Sequence, residues 1–183
     1  MGEIRAVTDT SPSVLIPEAA IAARVDELAR QISRDYAGAD ELILVGVLRG
    51  AFIFLADLSR RLTVPCRVDF IALSRYESGG TPGAVRLVKD LRTNVAGKHV
   101  LVVEDIVDSG DTLAYLLALL RARAPASLKA CALTRKRRAG EGAVTLDYVG
   151  FDIPDRWVVG YGLDYNDRYR TLPYIGVVDD ASP

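Results

Sequence analysis

The stretch GKHVLVVEDIVDSGDTLAYLLALLRARAP, residues 97–125, does most to limit what this chain can become. Its apolar run has no polar alternation, the mark of a strand buried on both faces. The strand is expected to end near Asp105, a polar turn to cover Asp108 to Asp111, and an apolar helix to run to about Ala124. The same order appears elsewhere. ELILVGVLRG (41–50) reads as a buried strand and AFIFLADLSRRL (51–62) as a helix, with Pro65 ending the connection. CRVDFIALSRY (66–76) and SLKACALTRK (127–136) are two further strands. Before them, Ala20, Ile21, Val25, Leu28, Ile32 and Tyr36 recur at helical spacing from Pro17 to Tyr36, and Gly38 supplies a stop. Strands alternating with helices predict an α/β fold, a mostly parallel twisted sheet flanked by helices. Ligands in such sheets bind outside the carboxyl ends of the strands.

Composition narrows the class further. A chain of 183 residues suits one domain, and 50% hydrophobic with 26% charged residues is a globular balance, not a disordered one. A net charge of −1, from 23 basic and 24 acidic residues, argues against a general nucleic-acid or membrane-surface binder. Cys66 and Cys131 each sit in a strand-like apolar run and read as buried thiols, a disulfide or redox pair being the alternative. MGEIRAVTDTSPS has no apolar leader core, and no apolar run approaches the ~20 residues a bilayer needs, so a cytoplasmic location is expected.

The chemistry concentrates where strand meets helix. Glu104 and Asp105 close the strand, and Asp108-Ser109-Gly110-Asp111-Thr112 opens the helix. A helix N-terminus offers unpaired N–H groups and a positive dipole end, which suit a phosphate. Gly110 lets the backbone come close, and Ser109 and Thr112 add hydroxyl donors. A lone turn of this kind reads first as a helix cap. Paired acids directly before it change the balance, because a phosphate cup beside two carboxylates is what a ribose phosphate needs. Neither a Walker A loop nor a G-x-G-x-x-G turn is present.

VVEDIVDSGDTL resembles the phosphoribosyl pyrophosphate signature of the type I phosphoribosyltransferases, in the form of their hypoxanthine-guanine branch. The resemblance implies a magnesium-dependent enzyme that joins a 6-oxopurine to phosphoribosyl pyrophosphate, giving a purine nucleotide and pyrophosphate. It places Glu104 and Asp105 at the ribose hydroxyls, directly or through Mg²⁺, and Asp108 to Thr112 at the 5′-phosphate. Asp108 then exchanges the proton at purine N7. A carboxylate inside the cup would repel phosphate, so Asp111 is expected to point outward and stabilise the helix start.

A second stretch, VGFDIPDRWVVGYGLDYN (149–166), is similar to the base-binding hood of the same branch, as is its spacing from Lys136. By that resemblance Lys136 donates to O6, Trp157 stacks on the ring and the Val158 backbone reads the exocyclic edge. Asp164, beside the base, holds a second Mg²⁺ with pyrophosphate. Singly, a core Trp and a solvated Lys are the commoner readings; together at this spacing they are not. Leu48-Arg49-Gly50 resembles the pyrophosphate loop, usually Leu-Lys-Gly, and Arg170 matches the arginine that reaches pyrophosphate. From Ser74 to about Arg86 the chain aligns with the family's closing flap. It carries Ser74-Arg75-Tyr76, with Arg75 where Ser is usual.

The resemblance implies one domain over 1–183, a core over about 38–140, and a hood from about 141–183 plus the N-terminal segment. It also implies a homodimer or homotetramer. Xanthine remains open beside hypoxanthine and guanine, while Lys136 and the Trp157-Val158 pair argue against adenine and pyrimidines. The rival class is an RNA-binding regulator on the same fold, for which Arg135, Lys136, Arg137 and Arg138 are the one basic run. His99 precedes a strand with no partner in view and is expected to be structural.

Overall fold

The computed structural model describes residues 11–75, 85–137 and 144–178. Its elements in chain order are β1 (Ser13–Ile16), α1 (Glu18–Asp35), β2 (Leu42–Leu48), α2 (Phe52–Ser59), β3 (Cys66–Arg75), β4 (Val85–Lys89), β5 (His99–Val107), α3 (Asp111–Arg121), β6 (Ser127–Lys136), β7 (Tyr148–Ile153), β8 (Val158–Val159) and β9 (Ile175–Val177). Six strands form one sheet in the order β4-β3-β2-β5-β6-β7, parallel throughout except where β4 pairs antiparallel with β3. Strands β1, β9 and β8 make a small antiparallel sheet.

The unbroken apolar runs follow from helices on both faces. Leu44 of β2, Leu101 and Val103 of β5 and Leu133 of β6 pack with Ile21, Val25, Leu28 and Phe54 of α1 and α2. Their neighbours along the strands, Val45, Val100, Val102 and Ala132, pack with Leu113, Leu116 and Leu120 of α3. Successive strand residues point to opposite faces, so a strand covered twice has no position for a polar residue. Each fully buried Leu, Ile or Val side chain contributes ~1.5–3 kcal/mol.

The structure moves several expected boundaries. β5 runs on to Val107 because β6 still pairs with it there, Ile106 with Thr134 and Val107 with Arg135. α3 stops at Arg121, and Ala124 lies beyond it with a left-handed φ of 53°. β7 belongs to the six-stranded sheet, in parallel register with β6, so the core extends past the expected limit near 140 to Ile153. Two arginine contacts help hold that edge: Arg24 of α1 donates to the carbonyls of Gly150 (2.9 Å) and Val149 (2.8 Å). Both cysteines are free thiols, Cys131 buried and Cys66 partly so.

At the amino ends of the strands the polar groups bind one another. His99 does have a partner: its Nδ1 lies 2.8 Å from Ser127 Oγ, and its ring meets Tyr36 edge-on. Tyr148 donates to Asp35 Oδ2 at 2.6 Å, and Lys129 donates to the Tyr148 hydroxyl at 3.2 Å. That hydroxyl hydrogen bond, then Lys129, holds the Asp35 carboxyl below its ordinary pKa despite some burial.

Candidate active site

At the opposite ends of the strands, two adjacent acids, Glu104 and Asp105, form no ion pair of this kind among the described residues. Glu104 is buried with 7% of its surface exposed, and Asp105 follows it, its carbonyl taking the Thr134 hydroxyl at 2.9 Å. Burial first, then the neighbouring Asp105 charge, pushes Glu104 well above the usual carboxylate range. Burial raises Asp105 to about 6, against the Ile106 amide and the Arg170 charge. This pair gains most from an arriving cation or hydrogen-bond donor.

The turn after β2 passes directly over this pair. A Cβ on Gly50 would lie 1.6 Å from Asp105 Oδ2, so any larger residue there would have to displace the Asp105 carboxylate. The preceding Leu48–Arg49 peptide is cis, and Gly162 in turn packs against the Gly50 carbonyl.

After Val107 the chain bends through Asp108 and Ser109 to Gly110, whose φ of +84° turns it into α3. The first N–H groups of α3 have no partner within the helix. Asp111 is exposed, and its carboxylate accepts the Ser109 hydroxyl at 2.8 Å. Thr112 begins the first turn beside it.

Lys136, the last residue of β6, has a side chain only 10% exposed and stands between two carboxylates, Asp108 Oδ2 at 3.3 Å and Asp155 Oδ1 at 3.1 Å. Trp157 is 45% exposed, with Tyr165 edge-on at 5.7 Å between centroids. Val158, the first residue of β8, is buried. Arg170 reaches Asp164 Oδ1 at 2.7 Å and donates to the Gly162 carbonyl at 2.8 Å.

These residues enclose one cleft of about 280 Å³, near the lower end of small-molecule sites (~300–1,000 Å³). Nine of the residues singled out by sequence line it: Arg49, Gly50, Asp105, Asp108, Lys136, Trp157, Val158, Asp164 and Arg170. Leu48, Glu104 and the turn from Ser109 to Thr112 flank it without lining it. Ser74 sits near the end of β3; the Arg75 side chain, Tyr76 and residues 77–84 of the expected flap fall outside the described residues. Sequence reasoning missed Ile106 and Leu163 in the lining and Asp155 beside Lys136. A carboxylate two residues before Trp157 in the hood motif was the available signal for Asp155.

Among the described residues no three His, Cys, Asp or Glu side chains cluster as a metal cage. The donor set fits a hard divalent cation that keeps water and substrate oxygens as its other ligands. Glu104 and Asp105 offer carboxylate oxygens only, and Mg²⁺ is commonly bound through one or two carboxylates plus phosphate oxygens. The basic run is largely spent within the fold: Arg135 and Arg137 pair with Asp152 at 2.7 and 3.2 Å. No helix among the described residues is long and apolar enough to cross a membrane.

A family model for the phosphoribosyl transferase domain matches residues 16–166. Hypoxanthine phosphoribosyltransferase of Salmonella typhimurium is 51% identical over 167 residues, 90% of this chain and 94% of that protein. Hypoxanthine-guanine phosphoribosyltransferase of Mycobacterium avium is 48% identical over 173 residues, 91% of this chain and 85% of that one. Among solved structures, a hypoxanthine-guanine phosphoribosyltransferase of Bacillus anthracis superposes with a TM-score of 0.83 at 44% identity, covering 90% of this chain and 95% of that one. A hypoxanthine phosphoribosyltransferase of Trypanosoma cruzi, solved as a ternary substrates complex, gives 0.85 at 44% identity, over 91% and 95% of the two chains.

Proposed function

This chain belongs to the phosphoribosyl transferase family, and from that premise we propose that it moves the 5-phosphoribosyl group of phosphoribosyl pyrophosphate onto hypoxanthine, guanine or both. The products are IMP or GMP and pyrophosphate, a glycosyltransferase reaction of purine salvage. One observation carries the reading: Asp105, Asp108, Lys136, Trp157 and Arg170, from four separate parts of the sequence, face a single cleft.

In this reading Glu104 and Asp105 hold the ribose hydroxyls, and the amides and hydroxyls from Asp108 to Thr112 hold the 5′-phosphate. The Leu48-Arg49-Gly50 turn and Arg170 take the pyrophosphate. Lys136 donates to O6, and a cationic donor selects an oxo group over an amino group. Its 3.3 Å contact with Asp108 puts the O6 donor beside the group that accepts the N7 proton as N9 attacks C1′. Trp157 offers its exposed indole to the base, stacking worth ~1–3 kcal/mol at other nucleobase sites, and the Val158 backbone reads the exocyclic edge. Ser74, Arg75 and Tyr76 belong to a flap that keeps water from the ribosyl centre. Glu104 and Asp105 would hold Mg²⁺, and Asp164 a second ion, which would supply charge neutralisation for the departing pyrophosphate. The small β1-β9-β8 sheet serves as the hood over the base. The same family resemblance supports a cytoplasmic homodimer or homotetramer.

The test is an assay of purified protein with each base, phosphoribosyl pyrophosphate and Mg²⁺. Nucleotide should form from hypoxanthine or guanine and not from adenine; activity on adenine alone overturns the assignment. Lys136→Ala should erode the preference for oxopurines, and unchanged selectivity clears Lys136 of that role.

A further inference from the structure

The pyrophosphate side of the cleft contains an acid that the proposed chemistry does not use. Asp167 Oδ1 lies 2.6 Å from Arg49 Nη2 and 3.1 Å from Arg170 Nη2, so one carboxylate oxygen joins two guanidinium groups. Both arginines line the cleft; Asp167 does not. Arg49 and Asp167 are 118 positions apart in sequence, so this is a tertiary contact and not a local helix pair. Arg170 is shared a second time, with Asp164 at 2.7 Å, which leaves two acids and two arginines in balance.

We propose that Asp167 is a resident counter-anion: its carboxylate occupies Arg49 and Arg170 in the free enzyme, and pyrophosphate must displace it to bind them. The inference rests on the assignment of those arginines to pyrophosphate. Two features separate Asp167 from an ordinary surface acid. Its backbone is held, with φ of 59° after Asn166 at 51°, an isolated bridge between Tyr165 and Arg168, and its own amide donating to Asp164 Oδ2 at 2.9 Å. Its carboxylate is accessible, with the Asp167 and Arg49 side chains 61% and 67% exposed, so an arriving anion can exchange with it. A well-exposed ion pair is weak. Pyrophosphate carries more charge and more oxygens than one carboxylate and wins the exchange, at reduced affinity. When product leaves, Asp167 takes the arginines back, which favours release.

Asp167→Asn tests this cleanly. Asn tolerates the left-handed backbone at least as well as Asp, keeps the size, and removes the charge. Calorimetric titration of inorganic pyrophosphate at saturating Mg²⁺ should show it binding about two- to five-fold tighter to this variant, the scale of a weak competing exposed pair. The advantage should shrink as salt screens the ion pairs. A merely structural Asp167 would leave pyrophosphate binding unchanged or weaken it, and either result overturns the proposal. Arg49→Gln, at an exposed position that folding does not need, is the control and should weaken pyrophosphate binding. If it does not, the pyrophosphate assignment itself fails; if it does and Asp167→Asn still binds no tighter, only the counter-anion fails.

Discussion

The two ends of the central sheet handle acidic residues in opposite ways. At the amino ends Asp35 takes a hydroxyl from Tyr148 and faces Lys129, and its carboxyl titrates low. At the carboxyl ends Glu104 is buried and Asp105 beside it half-buried, and their carboxyls titrate high. One end has its counter-charges built in. The other holds the Glu104–Asp105 pair at a cost that a ligand can repay, a pattern that clusters at functional sites.

The largest effect expected from this contrast is catalytic. Asp108→Asn should lower kcat by ~10²–10⁴, the range for losing a proton acceptor, with little change in melting temperature because Asp108 is exposed. Tyr148→Phe should leave kcat within about two-fold, since it lies at the far end of the sheet. Equal losses from both variants would erase the contrast.

Next in size is a stability effect that depends on pH. Asp105 titrates near 6 in the folded chain against 3.8 for a free carboxyl, so the unfolded state loses its proton first. Any stability from this group is complete below pH ~4 and is lost as pH rises to ~6. Asp105→Asn should therefore melt higher than the parent above pH ~6, by ~1–2 kcal/mol after allowing for partial exposure, with the gap closing below pH ~4. Thermal melts across that range would show it. A parent that gains on the variant as pH rises would mean Asp105 is not strained.

The smallest effect has the opposite sign. Asp35 is lowered, so its stabilisation is present above pH ~4 and fades as pH falls through its folded pKa. Tyr148→Phe removes the hydrogen bond behind it and should cost ~1 kcal/mol in urea unfolding at pH 7, and less near pH 3. A pH-independent loss would assign the effect to packing.

How much of this was legible in sequence depends on how locally each feature is determined. β2, β5 and β6 announce themselves because burial on both faces leaves only apolar residues between Leu42 and Val45 or between Val100 and Val103. β4, β8 and β9 do not: strands of five, two and three residues exist through the partners they meet. The site divides in the same way. Asp105, Asp108, Lys136 and Arg170 could be picked out because each sits in or at the spacing of a stretch resembling a family motif. Asp155 and Asp167 escaped because their roles are contacts with Lys136 and with Arg49 and Arg170 that only the folded chain creates. The left-handed residues Asn166, Asp167 and Tyr169 belong to the same class, since the loop around Arg170 imposes those angles.

The order of the small sheet has a consequence for how the protein is made. β9 lies between β1 and β8 and hydrogen-bonds to both. On the ribosome the six-stranded layer can assemble first, since all its strands precede residue 154. The wall that carries Val158 cannot pair until residues 175–177 emerge to join it to the long-finished segment at 13–16. A nascent chain stalled before that point would hold Glu104 and Asp105 in place while β8 stayed without its partner strand.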